Sequence, residues 1–234
     1  MRYAILGTGI VGRTVAERLL SLGHEVVIGT RDPATTLART EPSTTGAPTA
    51  PYAEWQEEHL EVELLPFADA ARIGEVLVNA TGGRVSIDAL NAADAGHLDG
   101  KVLIDIANPL DFSQGMPPVL DPANTDSLGE LIQRTFPGLR VVKTLNTMTA
   151  AVMVDPARVP GEHNVFLSGD DESAKKTVRE LLHSFGWPEA SVLDLGGIRT
   201  ARGPEMLLPI WIQLMGHLGH ADFNFHVQAA HPKA

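Results

Sequence analysis

The feature that most constrains how this chain can fold is a glycine-rich turn near its start, GTGIVG (Gly7–Gly12). An apolar run, RYAIL (2–6), precedes the turn, and a second apolar run, EVVIG (25–29), comes after Gly23. Between the two runs, apolar residues recur at helical spacing, at Val11, Val15, Leu19 and Leu22. A strand, a helix and a strand within about thirty residues predict one right-handed crossover unit of a parallel sheet.

The glycines of this turn stand at the positions that a dinucleotide-binding fold requires. Gly7 permits a tight turn, Gly9 lets a pyrophosphate approach the backbone, and Gly12 lets the helix pack closely on the strand. The N-terminus of the helix then offers free N–H groups to a phosphate. We therefore predict dinucleotide binding here. The alternative is a glycine turn in a doubly wound sheet that binds no ligand.

The end of the second strand indicates which dinucleotide binds. The glycine-rich turn Gly7–Gly12 is called the fingerprint turn below. Dinucleotide-binding folds usually place an acidic residue about twenty positions after this fingerprint, where it binds the ribose hydroxyls of NAD. This chain has Thr30 and Arg31 there, and Asp32 lies too far along for that role. Because a guanidinium binds phosphate bidentately, we predict that Thr30 and Arg31 select NADP(H), with help from Arg39 if the next loop folds back. The alternative is a solvated surface arginine.

Further apolar runs predict central strands of the sheet, namely EVLVNATGG (75–83), KVLIDIANP (101–109) and LRVVKTLNTM (139–148). They end in small and polar residues, so we expect their carboxyl ends to line a ligand crevice. Shorter elements are predicted around them: a helix at 55–59, a strand at 62–65 and a helix that follows a capping box at Ser127–Glu130. The composition of TEPSTTGAPTAP (40–51) predicts a mobile surface loop.

Beyond residue 150 the chain continues to alternate between strand and helix patterns. Strands are predicted for NVFLSG (164–169), SVLDL (191–195) and FNFHV (223–227), the last of them half-buried. An amphipathic helix ends at Gly186. Pro204 opens a helix that is apolar almost all round, which predicts that it is buried. The whole pattern predicts an α/β protein built on a doubly wound parallel sheet.

A catalytic acid or base is hard to find in this sequence. Lys143 and Asn146, in KTLN, invite a hydroxyacid-dehydrogenase interpretation, with lysine as the acid. They follow a strand rather than a long interdomain helix, so we favour a crevice-lining role for Lys143 and a loop over the cofactor for Asn146–Met148. The C-terminal histidines are expected to be packed or solvated rather than metal ligands. They are His217, His220, His226 and His231. We predict neither a catalytic side chain nor a metal site.

The composition removes several classes of function. A net charge of −11 argues against a nucleic-acid partner, because phosphate contacts require a basic face. The absence of cysteine removes disulfides and thiolate chemistry and fits a reducing compartment. The most apolar stretch, MLLPIWIQLM (206–215), is too short to span a bilayer, and the first strand begins with no charged leader. These features predict a cytoplasmic protein with no membrane partner.

Four blocks of sequence together resemble the NADP-dependent oxidoreductases of coenzyme F420, a 5-deazaflavin. The blocks are AILGTGIVGRTVAERLLSLGHEVVIGTRDP, LIDIANP, VVKTLNTM and LGGIRTARGPEMLLPIWIQL, and they cover most of the chain in the family's order. The resemblance implies an NADP-binding Rossmann domain in residues 1–150 and a small C-terminal α/β domain in residues 151–234. It also implies a deazaflavin pocket between them, and a homodimer, since many members are dimers.

The resemblance also implies roles for individual residues. The pyrophosphate would be contacted by Thr8, Gly9, Ile10 and Val11, within the turn that Gly7 and Gly12 shape, and Thr30 and Arg31 would bind the 2′-phosphate. The nicotinamide side would be lined by Ala80, Thr81, Gly82, Ala107 and Asn108. The deazaflavin would lie near Asn146, Thr147 and Met148, with Gly196, Gly197 and Ile198 closing the cleft.

Hydride transfer between two stacked rings needs no acid or base from the protein, which agrees with the absence of a convincing catalytic residue. The expected function is therefore hydride transfer between NADP(H) and F420 or a similar planar small molecule. Two alternatives stay open. One is an NADPH reductase of another acceptor, a flavin or a ferric complex, since the loop also resembles the reductase domains of membrane ferric reductases. The other is a noncatalytic NADP(H) sensor.

Overall fold

The computed structural model describes residues 1–42 and 49–230. Its strands are β1 (Arg2–Leu6), β2 (Glu25–Thr30), β3 (Glu63–Pro66), β4 (Val76–Asn79), β5 (Val102–Asp105), β6 (Leu110–Asp111), β7 (Val119–Leu120), β8 (Arg140–Thr144), β9 (Val165–Ser168) and β10 (Val192–Asp194). Its helices are α1 (Ile10–Ser21), α2 (Pro33–Leu37), α3 (Tyr52–Glu57), α4 (Phe67–Ile73), α5 (Ser86–Ala92), α6 (Ala95–Leu98), α7 (Leu128–Thr135), α8 (Ala150–Val154), α9 (Glu172–Phe185), α10 (Arg202–Met206) and α11 (Leu208–Leu218).

Eight of these strands form one sheet, in the order β10-β9-β8-β5-β4-β1-β2-β3. All neighbouring pairs are parallel except β8 and β9, which are antiparallel. The strand order reverses between β1 and β4, and ligands of doubly wound sheets bind at such a reversal, outside the carboxyl ends of the strands. The predicted doubly wound α/β sheet is confirmed. The two C-terminal strands, β9 and β10, extend this same sheet, and the division into two domains at residue 150 stays a prediction.

Helices cover both faces of the sheet, because residues that alternate along each parallel strand are apolar on both sides. One face packs on α1, α8 and α9, and its strand residues include Ile5, Ile28, Val78, Ile104 and Val142. The other packs on α4, α5 and α7, and its strand residues include Ala4, Leu6, Leu77, Leu103 and Val141. Packing on both faces therefore fixes the positions of the carboxyl ends of the central strands relative to one another.

Local signals in the sequence set the ends of two helices as predicted. Ser127 caps α7: its hydroxyl oxygen accepts from the Glu130 N–H at 3.1 Å, and its O–H donates to the Glu130 carboxylate. Helix α9 ends at Gly186, whose φ of +106° lies in the left-handed region that favours glycine. These ends are correct because each depends on residues only three or four positions apart.

Two predictions for the C-terminal region were wrong. Helix α11, predicted to be buried, buries Leu208 but leaves Ile210 and Leu218 exposed by 42% and 44%. Apolar residues around a helix predict that its surface is stabilised by burial. They do not indicate which part of the chain, if any, buries that surface. The segment 223–227 is not a strand in the structure.

Segment 223–227 is not a strand because its hydrogen bonds go to one residue, Asn164, just before β9, and not to successive residues of β9. The Asn164 N–H donates to the carbonyl of Phe225, and the Val227 N–H donates to the side chain of Asn164.

The predicted loop at residues 40–51 lies partly outside the described residues, which omit 43–48. Its far end is attached to the fingerprint turn, because the Arg13 guanidinium donates to the carbonyl of Ala50 at 2.7 Å. In the part of the chain that the structure describes, no helix is both long enough and apolar enough to cross a membrane.

Candidate dinucleotide and acceptor site

The fingerprint turn joins β1 to α1, and its glycines are there for different physical reasons. Gly7 has a φ of +122°, and a Cβ on it would lie 2.5 Å from the carbonyl oxygen of Ala80. A Cβ on Gly12 would lie 2.5 Å from the carbonyl oxygen of Gly7. At both positions the neighbouring backbone therefore leaves no room for a side chain. A Cβ on Gly9 would meet nothing within 4 Å, so the space beside Gly9 is open.

The start of α1 fits a bound pyrophosphate. Its N-cap is Gly9, which has no side chain to satisfy the first N–H groups, and the first turn contains no acidic residue. Free N–H groups and the positive end of the helix dipole favour an anion. Together with the open space beside Gly9, this arrangement has both the room and the donors that a dinucleotide phosphate needs.

Arg13, which the sequence analysis missed, holds this turn in place. Its guanidinium donates to the carbonyl of Thr8 at 2.9 Å and lies over the ring of Tyr52, 5.4 Å from the ring centre. The signal in the sequence was a basic residue directly after the last glycine of the fingerprint. Thr8, Gly9 and Arg13 line a small cavity of about 70 Å³, and Arg39 lies in the same lining.

The predicted 2′-phosphate residues lie at the end of β2. The Thr30 hydroxyl is buried and 2.8 Å from the hydroxyl of Thr36, whereas Arg31 is exposed. Asp32 caps α2, because its carboxylate accepts from the N–H groups of Ala34 and Thr35. Hydrogen bonds from Thr35 lower the pKa of Asp32. The carboxylate is thus committed to the helix, which leaves Arg31 as the side chain free to reach solvent-side ligands.

A larger cleft of about 410 Å³ lies over the carboxyl ends of β1, β4, β5 and β8. Its volume is in the range of small-molecule sites. Predicted site residues that line it are Ile10, Val11, Ala80, Thr81, Gly82, Ala107, Asn108, Asn146 and Met148. Its other lining residues include Val85, Ile106, Phe112, Met153, Leu208 and Trp211. The cleft is therefore largely apolar, with a few polar groups at its floor.

The floor of the cleft is an amide pair that joins the ends of β5 and β8. The Asn146 side chain donates to the side-chain oxygen of Asn108 at 2.9 Å, and the Asn108 side chain donates to the carbonyl of Asn146 at 2.8 Å. Leu145, with a φ of +62°, turns the chain so that Asn146 faces Asn108. These two hydrogen bonds fix the orientation of both side chains beneath the cleft.

Lys143 lies below this floor and is fully enclosed. Its ammonium is 2.6 Å from the Asp105 carboxylate, 2.9 Å from the Glu205 carboxylate and 2.7 Å from the carbonyl of Ala107. Three oxygen atoms thus surround the ammonium, two of them from carboxylates. Burial favours the neutral amine, but the two carboxylates outweigh burial and raise the pKa of Lys143. The geometry does not support the hydroxyacid-dehydrogenase interpretation, because the charged lysine directs its protons away from the cleft.

Several predicted neighbours of the cleft lie elsewhere. Gly196, Gly197 and Ile198 are not among the described residues that line it; Ile198 is buried against α7. Thr147 is buried beside the lining residues Asn146 and Met148.

Leu208 and Trp211, which form a wall of the cleft, were not among the predicted site residues. Both belong to the helix that was predicted to be buried. The apolar pattern of that helix was visible, but not its position at the mouth of the cleft.

The C-terminal histidines belong to no cluster of the size that a metal site needs in the described residues. Within residues 1–42 and 49–230, no group of three or more histidine or acidic side chains is arranged to hold a metal ion. His231 lies outside the described residues.

The doubly wound sheet, the fingerprint turn with its open Gly9 and the cleft at the strand reversal define a dinucleotide-dependent oxidoreductase. A family model described as NADP oxidoreductase, coenzyme F420-dependent, matches residues 2–109. A solved structure from Arthrobacter sp. FB24, a candidate F420-dependent NADP reductase, is 59% identical over 97% of this chain and 99% of that one, with a TM-score of 0.91. The chain belongs to the family of coenzyme F420-dependent NADP oxidoreductases.

Other similarities are weaker. The F420-dependent NADP reductase of Methanothermobacter marburgensis is 26% identical over 92% of both chains. The metalloreductase STEAP3 of Rattus norvegicus is 29% identical over 90% of this chain, which spans 38% of that longer protein. An imine reductase from Myxococcus stipitatus in complex with NADP⁺ has a TM-score of 0.61 at 16% identity, which shows the shared fold alone.

Proposed function

We propose that this oxidoreductase transfers a hydride between NADP(H) and coenzyme F420, with both rings in the 410 Å³ cleft. When bound, NADP(H) would supply or accept the hydride at C4 of its nicotinamide, and F420 would accept or supply it at C5 of its deazaflavin. The observation that carries this proposal is the chemistry of the cleft: its walls are apolar, and the amides in its floor are held by hydrogen bonds between Asn108 and Asn146. Such a site can orient two rings and exclude water, which is what hydride transfer requires.

The same geometry supports the proposed cofactor-binding residues. We propose that Thr8, Gly9, Ile10 and Val11 bind the pyrophosphate at the start of α1, in the turn shaped by Gly7 and Gly12. Thr30 and Arg31 would bind the 2′-phosphate at the end of β2, Thr30 through its hydroxyl, which is also hydrogen-bonded to the hydroxyl of Thr36. The nicotinamide would lie against Ala80, Thr81, Gly82, Ala107 and Asn108, and the acceptor near Asn146, Thr147 and Met148.

The acceptor side of the cleft suits a flat ring. Phe112 and Trp211 offer aromatic surfaces in its lining, and Trp211 is itself stacked on Phe223, with ring centres 5.3 Å apart. Arg84 also lies in the lining, where its guanidinium is paired with the Asp111 carboxylate. We propose that residues 151–234 act as a second unit that closes this side, because α8 and α11 supply Met153, Leu208 and Trp211.

A mixing experiment tests the reaction directly. Purified protein, NADPH and oxidised F420 are combined, and the loss of deazaflavin absorbance is followed. We expect bleaching that depends on NADPH and is much slower with NADH. Bleaching at equal rates with both dinucleotides would contradict the assignment of the 2′-phosphate site. An absence of bleaching while NADPH binds tightly would contradict F420 as the acceptor.

The similarity to a metalloreductase supports a second candidate, an NADPH reductase of a flavin or a ferric complex. The same experiment distinguishes it, since FMN, FAD or ferric citrate would then be reduced and F420 would not. A noncatalytic NADP(H) sensor predicts tight NADPH binding with none of these acceptors reduced.

We further propose that the protein is a homodimer formed through α11. The helix is exposed and apolar, and residues 206–221 contain no Asp, Glu, Lys or Arg. Each copy carries a net charge of −11, so two copies repel each other wherever acidic surfaces meet. An uncharged apolar face is the surface on which a second copy can lie with the least repulsion.

The remaining proposals concern the cell. The acidic net charge supports a protein with no nucleic-acid partner. The absence of cysteine from the sequence supports a reducing, cytoplasmic compartment. We propose a small-molecule hydride acceptor as its only reaction partner besides NADP(H).

A further inference from the structure

A row of polar side chains crosses three central strands just beneath the cleft. Asn79, Asp105 and Lys143 are register partners at the carboxyl ends of β4, β5 and β8, so their side chains share one face of the sheet. All three are buried, with exposures of 0%, 0% and 1%. The Asn79 side chain donates to Asp105 at 2.9 Å, and the Lys143 ammonium forms an ion pair with the other oxygen of the same carboxylate, 2.6 Å away. Buried polar groups of this kind are retained at a cost, which suggests that they do something specific.

Two members of the row hold the backbone of Ala107, a lining residue of the cleft, one through its N–H and the other through its carbonyl. The Ala107 N–H donates to the Asp105 carboxylate at 3.2 Å, and its carbonyl accepts from the Lys143 ammonium at 2.7 Å. The next residue, Asn108, carries the amide that pairs with Asn146 in the floor. Lys143 therefore fixes the backbone position from which the floor of the cleft is built.

The same ammonium also reaches the opposite wall. Glu205, 2.9 Å from Lys143, lies in α10, directly before the helix that contributes Leu208 and Trp211 to the cleft. The Glu205 carboxylate further accepts from the N–H groups of Leu128 and Gly129, in the first turn of α7. The two carboxylates beside one ammonium are thus partly balanced by the positive end of α7.

At the other end of the row, Asn79 reaches a third part of the lining. The Thr81 hydroxyl donates to the Asn79 side chain at 2.7 Å and lies 2.9 Å from the Ser86 hydroxyl. The hydroxyl of Thr81 is thereby bonded to the row, and Thr81 is itself a lining residue of the cleft. The network connects the segments after β4 and β5 with the helix pair α10–α11.

We propose that Lys143 is a positioning residue for the nicotinamide half of NADP(H). It acts through Ala107 and Glu205, which set the spacing between the floor and the α11 wall, and it does not touch the cofactor. This inference rests on the proposed placement of nicotinamide in the cleft. A displaced floor would leave the adenosine end bound at the fingerprint turn but would misplace the ring that carries the hydride.

The test compares the binding of two ligands by calorimetry: NADPH, and 2′,5′-ADP, which lacks the nicotinamide half. Lys143→Met is made together with Asp105→Asn and Glu205→Gln, so that no buried carboxylate loses its cation. We expect the Kd of 2′,5′-ADP to stay within about twofold of wild type, because its site is remote. The ratio of the Kd of 2′,5′-ADP to the Kd of NADPH measures the affinity that the nicotinamide half adds. This ratio should fall about tenfold, the effect of a small misplacement of the ring.

Lys175→Met is the matched control. Lys175 is also largely buried and also bridges two carboxylates, those of Glu172 and Asp194. It belongs to α9 and pairs with β10, outside the described lining of the cleft. It should leave both Kd values unchanged. Glu205→Gln alone is the milder second variant, with a smaller change in the same direction.

The proposal would be overturned if the ratio of the two Kd values stayed unchanged in the folded triple variant or, should that variant not fold, in Glu205→Gln. An equal change of the ratio in Lys175→Met would overturn it as well. Failure of the proposed function is a separate outcome: wild-type protein would then bind NADPH and leave F420 oxidised, and the binding ratio would still decide the role of Lys143. Where wild type does reduce F420, the single-turnover rate at saturating NADPH should also fall about tenfold in the triple variant.

Discussion

At the scale of single residues, the fingerprint glycines separate binding from folding. Gly9 has φ −76° and ψ 179°, which any residue can adopt, and its Cβ would enter open space. We expect Gly9→Val to change the free energy of unfolding by less than about 1 kcal/mol, yet to abolish binding of both NADPH and NADH.

Gly12→Ala provides the contrast to that variant. Its Cβ would press on the Gly7 carbonyl, so we expect a stability loss of roughly 1–3 kcal/mol. Denaturant unfolding and dinucleotide titration measure both effects. Retained NADPH binding in folded Gly9→Val would remove the fingerprint assignment.

Arg31 gives the second prediction at this scale. Its guanidinium is exposed at the end of β2, next to the N-cap of α2. Arg31→Ala should weaken NADPH binding by roughly 1.5–3 kcal/mol, the size of a charged hydrogen bond, and leave NADH nearly unchanged. Arg2→Ala removes a partly exposed arginine, paired with Glu25, at the start of β1. It lies at the amino ends of the strands, opposite the end at which Arg31 lies, and controls for net charge. An equal loss for NADPH and NADH would argue that Arg31 holds no 2′-phosphate.

At the scale of elements, α7 depends on an ion pair with the start of α10. The Arg202 guanidinium donates to both oxygens of the Glu130 carboxylate, at 2.6 and 2.7 Å. Hydrogen bonds from Arg202 and from Ser127 lower the pKa of Glu130 below its usual 4.5. A lowered pKa in the folded state stabilises the protein above the unfolded pKa, and this contribution disappears as the pH falls through the folded pKa.

We therefore expect Glu130→Gln to lower the free energy of unfolding at pH 7 by roughly 1–2 kcal/mol, a value between an exposed and a buried ion pair. The difference from wild type should shrink as the pH falls below about 4. Urea unfolding at several pH values measures this. Glu180→Gln changes an exposed acid of α9 and should show little effect at any pH. A pH-independent difference for Glu130→Gln would mean that its charge is not the cause.

At the scale of the whole molecule, the question is what covers α11. Ile210 is exposed by 42% in the single chain, so Ile210→Glu should change folding stability by less than about 0.5 kcal/mol. It places a charge in the uncharged face of both copies, and we expect it to convert a dimer to a monomer in sedimentation velocity. Leu60→Glu alters an apolar residue that is 82% exposed and distant from α11, and should leave the dimer intact. A monomeric wild type, or a dimeric Ile210→Glu protein, would contradict the proposal.

The sequence by itself determined the parts of this protein that depend on near neighbours in the chain. The turn at Gly7–Gly12, the basic end of β2, the cap at Ser127 and the end of α9 at Gly186 each involve residues within a few positions, so local sterics and hydrogen bonding suffice to predict them. The parallel strands followed from apolar runs whose ends carry Ala80, Asn108 and Asn146. Their arrival at one cleft then follows from the rule that parallel strands share a carboxyl edge.

Only the tertiary structure decided which distant groups meet. Lys143 could be read from the sequence as an acid; its enclosure by Asp105 and Glu205, 38 and 62 positions away, makes it a charged structural partner instead. The helix bearing Trp211 is apolar on every side, yet it lies at the mouth of the cleft rather than in the core. Hydrophobic periodicity states how much surface an element needs to bury, whereas the packing of the whole chain decides against what.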